Sequence, residues 1–269
     1  MSAFNLFKKE KKEKCAELRR IEWLILEKRK KAGQEKYEPP YGCLLDLNTS
    51  RVILDSVGED ILTDITNEIL NLLETSSAVY EKNGDYACGI FSSGWCRFLD
   101  QASRDLCNTK DNKKALASGK WLCHESCWTN TSKVAIEKKK PVDIKCNGGI
   151  NLYGIPIWAN GKVIGSINFG YGDPPQDIRT LKMIAKKYRV NFSDLKKLAK
   201  KYDSRPDFLI EIERDRLSTA AKLIGTLVER KEIENQLQKK VEELEKFNKL
   251  AVGRETKMRE LKKEIEKLK

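Results

Sequence analysis

The residues able to do chemistry in this sequence are its cysteines. Cys88, Cys96, Cys107, Cys123, Cys127 and Cys146 fall within about 60 residues, and the same stretch holds the one histidine of the chain, His124. Such thiols can be buried as small hydrophobes, hold zinc or an iron-sulfur cluster, or line a pocket as redox-reactive or ligand-contacting groups. Cys123 and Cys127 are four apart, so on a helix both thiols fall on one face, within reach of a single metal ion or cluster. Cys146 closes an expected strand just before Asn147-Gly148-Gly149, and the two glycines let backbone approach a ligand closely. If residues 97–106 are helical, Cys96 and Cys107 stand at opposite helix ends, about 16 Å apart, and cannot ligate one metal. A four-thiolate site then draws on Cys107, Cys123, Cys127 and Cys146, with Cys96 a core hydrophobe or reserve thiol. His124 follows Cys123 directly and points about 100° away from it on a helix, which suits capping or hydrogen bonding better than ligation.

Catalysis has little to work with. A histidine kinase needs an acceptor histidine on a dimer helix and a nucleotide lid, whereas the terminal helix has no histidine and no G-x-x-x-x-G-K-[ST] loop occurs. Gly165 to Gly172 is glycine-rich but belongs to a hairpin strand, a poor phosphate cradle. A cysteine nucleophile wants a histidine base, and only His124 is available. The chain is expected not to be an enzyme.

The elements that must position the thiols can be read from periodicity and turns. A charged helix with a narrow apolar stripe is expected from Phe7 to Lys31, ended by Tyr37-Glu-Pro-Pro-Tyr-Gly42. Ile61, Leu62, Ile65, Ile69, Leu72 and Leu73 predict a helix from Gly58 to Glu74. Ser77-Ala-Val-Tyr80 and Tyr86-Ala-Cys-Gly-Ile-Phe91 flank Asn83-Gly84, a strong hairpin signal, and Leu152 to Trp158 and Val163 to Phe169 flank Asn160-Gly161 in the same way. Three short helices are expected between the hairpins, near residues 97–106, 111–118 and 128–139, with a strand at Val142 to Cys146. The fold class is therefore α+β: a PAS-like or GAF-like antiparallel sheet with inserted helices, flanked by an N-terminal helix and a long C-terminal coiled-coil helix. Three segments follow, an N-terminal charged helix over 1–36, a sensor domain over 45–205 and a coiled coil over 206–269.

The net charge of +12 hints at nucleic acid until it is divided along the chain. Residues 1–36 carry +6 and residues 176–205 carry +7, while residues 37–175 carry −3. The basic stretch from Arg179 to Arg205 reads as two amphipathic helices whose lysines form a solvated face, so nucleic acid is an unlikely partner and a nucleic-acid adaptor only the last alternative. No run approaches the roughly 20 apolar residues of a spanning helix, and the first residues lack an apolar signal core, so a cytoplasmic location is expected, with the cysteines as thiols. Beyond Pro206, Leu223, Leu227, Leu237, Val241, Leu244 and Ala251 fit one a/d register, with Arg230, Glu234 and Asn248 in the seam. Met258, Leu261, Ile265 and Leu268 fit a shifted register, as in a dimeric coiled coil with a skip near Gly253.

Trp95-Cys96-Arg97-Phe98, Leu106-Cys107, Cys146-Asn-Gly-Gly-Ile150, Pro156-Ile157 and Gly165 to Gly170 resemble the PocR-type sensory domain. In that family a cysteine near an aromatic, a second about ten residues on and a third in a Cys-His-Ala-Gly-Leu-like motif precede a Pro-Ile hairpin. The resemblance spans roughly residues 45–230 and implies a PAS-like ligand sensor attached to transcription factors and histidine kinases. Its ligands would be small hydrocarbon derivatives such as short diols. Asn147 stands where the family commonly has histidine. Cys123 and Cys127 look like additions shared with a subgroup attached to archaeal and bacterial signalling proteins, and Leu244 to Arg254 resembles the signalling helix found before histidine-kinase modules. Trp95, Cys96, Cys146, Asn147 and Tyr153 are the expected ligand-contacting residues. A small-molecule ligand, a homodimer through the coil and a histidine kinase or regulator are the expected partners.

Overall fold

The computed structural model describes residues 38–73, 75–91, 93–202 and 205–267. The helix expected over residues 7–31, and Cys15 with it, lies outside the described residues. A 3-10 turn, Leu45–Leu47, leads to helices α1 (Val52–Val57) and α2 (Glu59–Leu73) and then to the hairpin β1 (Ser76–Glu81) and β2 (Tyr86–Phe91). Helices α3 (Gly94–Asp105) and α4 (Asn112–Leu116) follow. Next come α5 (Leu122–His124), a π-helical stretch Glu125–Ser132 and α6 (Lys133–Lys138), which succeed one another without a break. Strands β3 (Val142–Lys145), β4 (Asn151–Ala159) and β5 (Lys162–Tyr171) complete the sheet, and α7 (Ile178–Tyr188), α8 (Phe192–Lys201) and α9 (Asp207–Lys267) end the chain.

The sheet is antiparallel with strand order β2-β1-β5-β4-β3, the PAS-like or GAF-like arrangement expected. The second hairpin closes on two residues, Asn160 at φ 48° and Gly161 at φ 71°, the pair of positive angles that a type I′ turn requires. Side-chain caps set several helix starts. Ser93 accepts from Cys96 N, Asp111 from Lys114 N, Asp177 from Thr180 N, and Asn191 from Ser193 N and Asp194 N. The buried carboxylate of Glu81 at the end of β1 does the same from a distance, accepting the N–H groups of Ile53 and Leu54 at the start of α1.

Both faces of the sheet are covered. Ile155, Ile157, Ile167 and Phe169 pack with Ile53 and Val57 of α1, Leu62, Ile69 and Leu73 of α2, and Leu209, Leu217, Ala221, Ile224 and Val228 of α9. On the opposite face Ala78 and Tyr80 of β1 meet Cys127 and Trp128 of the π-helical stretch. Asn168 Nδ2 of β5 donates to Cys127 O at 3.1 Å and Ser132 Oγ at 2.9 Å. Helices α3, α7 and α8 gather around Trp95 in a further apolar cluster.

The expected boundary at residues 205/206 needs correction, because the first turns of α9 are part of the domain core. Buried side chains lie between Leu209 and Val228, and beyond Val228 the apolar Ile233, Leu237, Val241, Leu244 and Phe247 all stand exposed. Where α9 crosses β4, a Cβ on Gly225 would sit 1.9 Å from the carbonyl oxygen of Trp158. Alanine in mid-helix ordinarily gains about 1 kcal/mol over glycine. Overpacking against a backbone atom that cannot rotate away costs about 3 kcal/mol. Gly225→Ala should therefore destabilise by about 2 kcal/mol, read as a lower urea midpoint at unchanged slope.

Candidate functional site

On the side of the sheet away from α9, four of the thiols face one small space. A cavity of about 30 Å³ is lined by Ser76 of β1 and Phe91 of β2, by Trp95, Cys96 and Leu99 of α3, by Cys123, Ser126 and Cys127, by Cys146, Gly148 and Ile150, and by Leu152 of β4 and Tyr188 of α7. The α3 residues converge because positions i and i+4 of a helix lie above one another. The π-helical stretch has a wider turn, and hydroxyls occupy the carbonyls it leaves loose. Ser126 Oγ donates to Leu122 O at 2.9 Å and Thr131 Oγ1 to Ser126 O at 2.8 Å. The Cys146 turn is closed by Cys146 N donating to Ile150 O and Gly149 N to Cys146 O.

Burial governs the chemistry of the lining. It pushes the Cys96 thiol up to about 12, and raises Cys123 and Cys127 well above the ordinary thiol value. Cys146 is raised by the same cause, against the pull of the backbone N–H groups of Gly148, Gly149 and Ile150. Protonated thiols are poor nucleophiles, so the cavity wall is soft and apolar. One polar atom stands out: Trp95 is 2% exposed and its Nε1 has no hydrogen-bond partner. A buried donor left without an acceptor costs about 1–3 kcal/mol.

The other expected site residues lie elsewhere. Cys107, at the far end of α3 from Cys96, packs with Ala115 and Trp121, and its Sγ is 3.6 Å from Ser103 O. The quartet Cys107, Cys123, Cys127 and Cys146 is thus not brought together; Cys96 occupies the place expected of Cys107. Among the described residues no group of three or more His, Cys, Asp or Glu is arranged to hold a metal ion. Asn147 does not line the cavity, because its polar atoms are committed to protein: N–H to Ser126 Oγ, Nδ2 to Leu122 O, and Oδ1 accepting from Lys187 Nζ at 2.6 Å. Tyr153 follows Leu152 on a strand and so points to the opposite face, where the Arg214 guanidinium lies 4.7 Å from its ring centroid. His124 is buried beside Tyr86, whose hydroxyl is 3.0 Å from Nδ1, and burial lowers it to about 4.

Sequence reasoning missed Leu99, Ser126 and Tyr188, and found Gly148 through its place after Cys146. The signal for Tyr188 was present in the apolar positions Leu181, Ile184, Ala185 and Tyr188 of α7, a segment read only for its lysines. Also missed was Asp100, a buried carboxylate behind the cavity that accepts from Tyr41 OH at 2.5 Å and Trp121 Nε1 at 2.8 Å. Burial pushes it up to about 6, against those two donors and Arg104.

The family model of the sensory domain found in PocR matches residues 55–231. No curated protein matches the chain. Among solved structures, the crystal structure of the GAF domain/HD domain protein from Geobacter sulfurreducens aligns at 12% identity with a TM-score of 0.31, covering 65% of this chain and 97% of that one. No helix among the described residues is long and apolar enough to cross a membrane.

The thiol environments are open to direct measurement. With iodoacetamide at pH 7.5, exposed Cys43 should alkylate first. Cys96, Cys123, Cys127 and Cys146 should react about 100-fold more slowly or only after unfolding in urea. Peptide mass spectrometry over a time course resolves the sites, and labelling of any two of the four at the rate of Cys43 would contradict a closed, protonated cavity.

Proposed function

Because this chain belongs to the PocR sensory-domain family, we propose that it is a cytoplasmic, non-catalytic sensor whose thiol-lined cavity receives a small neutral molecule. The observation that carries the reading is the unpartnered Trp95 Nε1 beside a cavity lined mostly by apolar side chains and protonated thiols, with Ser76, Ser126 and Tyr188 as the hydroxyl-bearing members. The fitting guest is a compact molecule with one acceptor oxygen and an apolar remainder, such as a short alcohol or diol. Charged guests are disfavoured, because no group of opposite charge lines the cavity to offset their desolvation. A site of about 30 Å³ takes only a few heavy atoms, and a longer guest displaces Tyr188 or the Gly148 turn.

Two contacts support α9 as the output. Leu152 touches the cavity while its neighbour Tyr153 touches α9, so displacement of β4 is felt on both faces. Arg214 of α9 lies over the rings of Tyr153 and Tyr171, donates to Tyr171 OH at 3.0 Å, and pairs with Asp143 of β3, to which Tyr171 OH also donates. In the proposed signalling route occupancy shifts this clamp, α9 carries the shift into a homodimeric coiled coil, and a histidine kinase or regulator reads it.

The test uses the Trp95 indole N–H resonance in a spectrum of the labelled chain. Ethanol and 1,3-propanediol should move it downfield and saturate. Gly148→Ala should abolish the effect, since a Cβ there would stand 2.8 Å from Leu99 Cδ1 and 3.7 Å from Trp95 Nε1. A saturable shift that survives Gly148→Ala, or no shift with either probe, refutes the cavity as the sensor site.

Dimerisation is checked separately by sedimentation. A cut after Arg205 would remove core residues, so the truncation must fall after Glu232. That shortened chain should be monomeric where the full chain is dimeric, and Leu237→Asp with Leu244→Asp should give the same result. Equal dimerisation of all three would place the interface elsewhere.

A further inference from the structure

A second concave surface adjoins the thiol cavity. It is an open cleft of about 700 Å³ between the C-terminal end of α3, the turn before α5 and the C-terminal end of α7. Its size is that of a small-molecule site. Ala102, Leu106, Leu122 and Val190 give it apolar walls, and Lys120, Lys187 and Arg189 stand against a single carboxylate, Asp105. The side chains of Lys120 and Arg189 have no hydrogen-bond or ion-pair partner among the described residues, and Lys187 is held only by the neutral Asn147 Oδ1.

Cations near helix C-termini are commonly explained by the helix dipole, and two helices end in this cleft. Each supplies about half a negative charge. Three cations, less Asp105 and the two helix ends, leave roughly one positive charge uncompensated. The position of Arg189 argues the same way. It caps α7 in the left-handed region, at φ 55°, where glycine is the unstrained choice. We infer that this cleft binds a small organic monocarboxylate, the carboxylate between Lys120, Lys187 and Arg189 and the carbon chain on the apolar walls.

The site is coupled by construction to the cavity of the proposed sensor function. Tyr188 lines both spaces. A carboxylate that draws Lys187 away removes the donor to Oδ1 of Asn147, the residue that directly follows Cys146 and ties that turn to Leu122 O and Ser126 Oγ. Binding at either site then alters the other by the same factor. A flat nucleic-acid surface would instead use the exposed outer lysines of α7 and α8, such as Lys182, Lys197 and Lys200.

Propionate is the probe, titrated into the full chain at constant ionic strength against chloride, with thermal midpoint and calorimetric heat as readouts. It should raise the midpoint saturably where chloride does not. Lys120→Gln and Arg189→Gly should each weaken binding at least tenfold. Arg189→Gly separates lost charge from lost structure, since glycine takes the positive φ without strain and the midpoint without propionate should not fall. Wild-type affinity in both variants, no saturable difference from chloride, or displacement of propionate by a short oligonucleotide would each overturn the inference. Gly148→Ala should still bind propionate, so failure of the thiol cavity as a sensor site leaves this result readable on its own.

Discussion

Strand β4 is gripped between two helices that touch its backbone. On one face a Cβ on Gly154 would meet Thr131 Cγ2 of the π-helical stretch at 2.7 Å; on the other, Gly225 of α9 brings helix backbone against the carbonyl of Trp158. Interiors packed to this density have little free volume in which to absorb a shift. In the proposed relay a displacement of the π-helical stretch moves the strand, and the strand moves α9. The cavity lies at one end of this stack, with Leu152 as the point where β4 enters its wall.

The cavity wall combines the large Trp95, Leu99, Ile150, Leu152 and Tyr188 with small groups. The helical run that crosses β4 contributes the small ones Cys123, Ser126 and Cys127. A cysteine there fills space as a soft hydrophobe. Two of the polar groups just behind the wall have partners. Asp100 receives Tyr41 and Trp121, and His124, held neutral by burial, meets the Tyr86 hydroxyl. In the proposed sensor the unpartnered Trp95 N–H is the group through which the cavity would distinguish one guest from another.

Much of the architecture was legible in the residues, and the misses share one cause. The Asn-Gly turns, the helix at 58–74 and the alternating strands are local signals, and the sheet follows from them. The cysteine grouping is not local. Cys96 and Cys107 fall in different apolar clusters, and the helical argument that separates them is silent about which end faces the cavity, which is set by packing of α3 against Ile150 and Tyr188. Tyr153 was misplaced by one residue of strand parity, which only the identity of the covering helix resolves. Helix formation at Leu122, six residues before the expected start at 128, was hidden because a π-helical stretch departs from the 3.6-residue period.

Helix α9 shows how one sequence can carry two overlapping patterns. Leu217, Ala221, Ile224 and Val228 face the sheet. Leu223, 46% exposed, and half-buried Leu227 begin the a/d seam about 100° around the helix. Read alone, Pro206 marks the start of a free coil. Read with the core, residues 207–228 have a dual role, fixed to the sheet on one side and presenting the first turns of the seam on the other. The clamp at Arg214 and the exposed Leu237 are separated by about 35 Å of helix without proline. In the proposed dimer, a rotation imposed at the clamp would reach the seam as a change of which residues face a partner, and in a heptad coil that is a change of register.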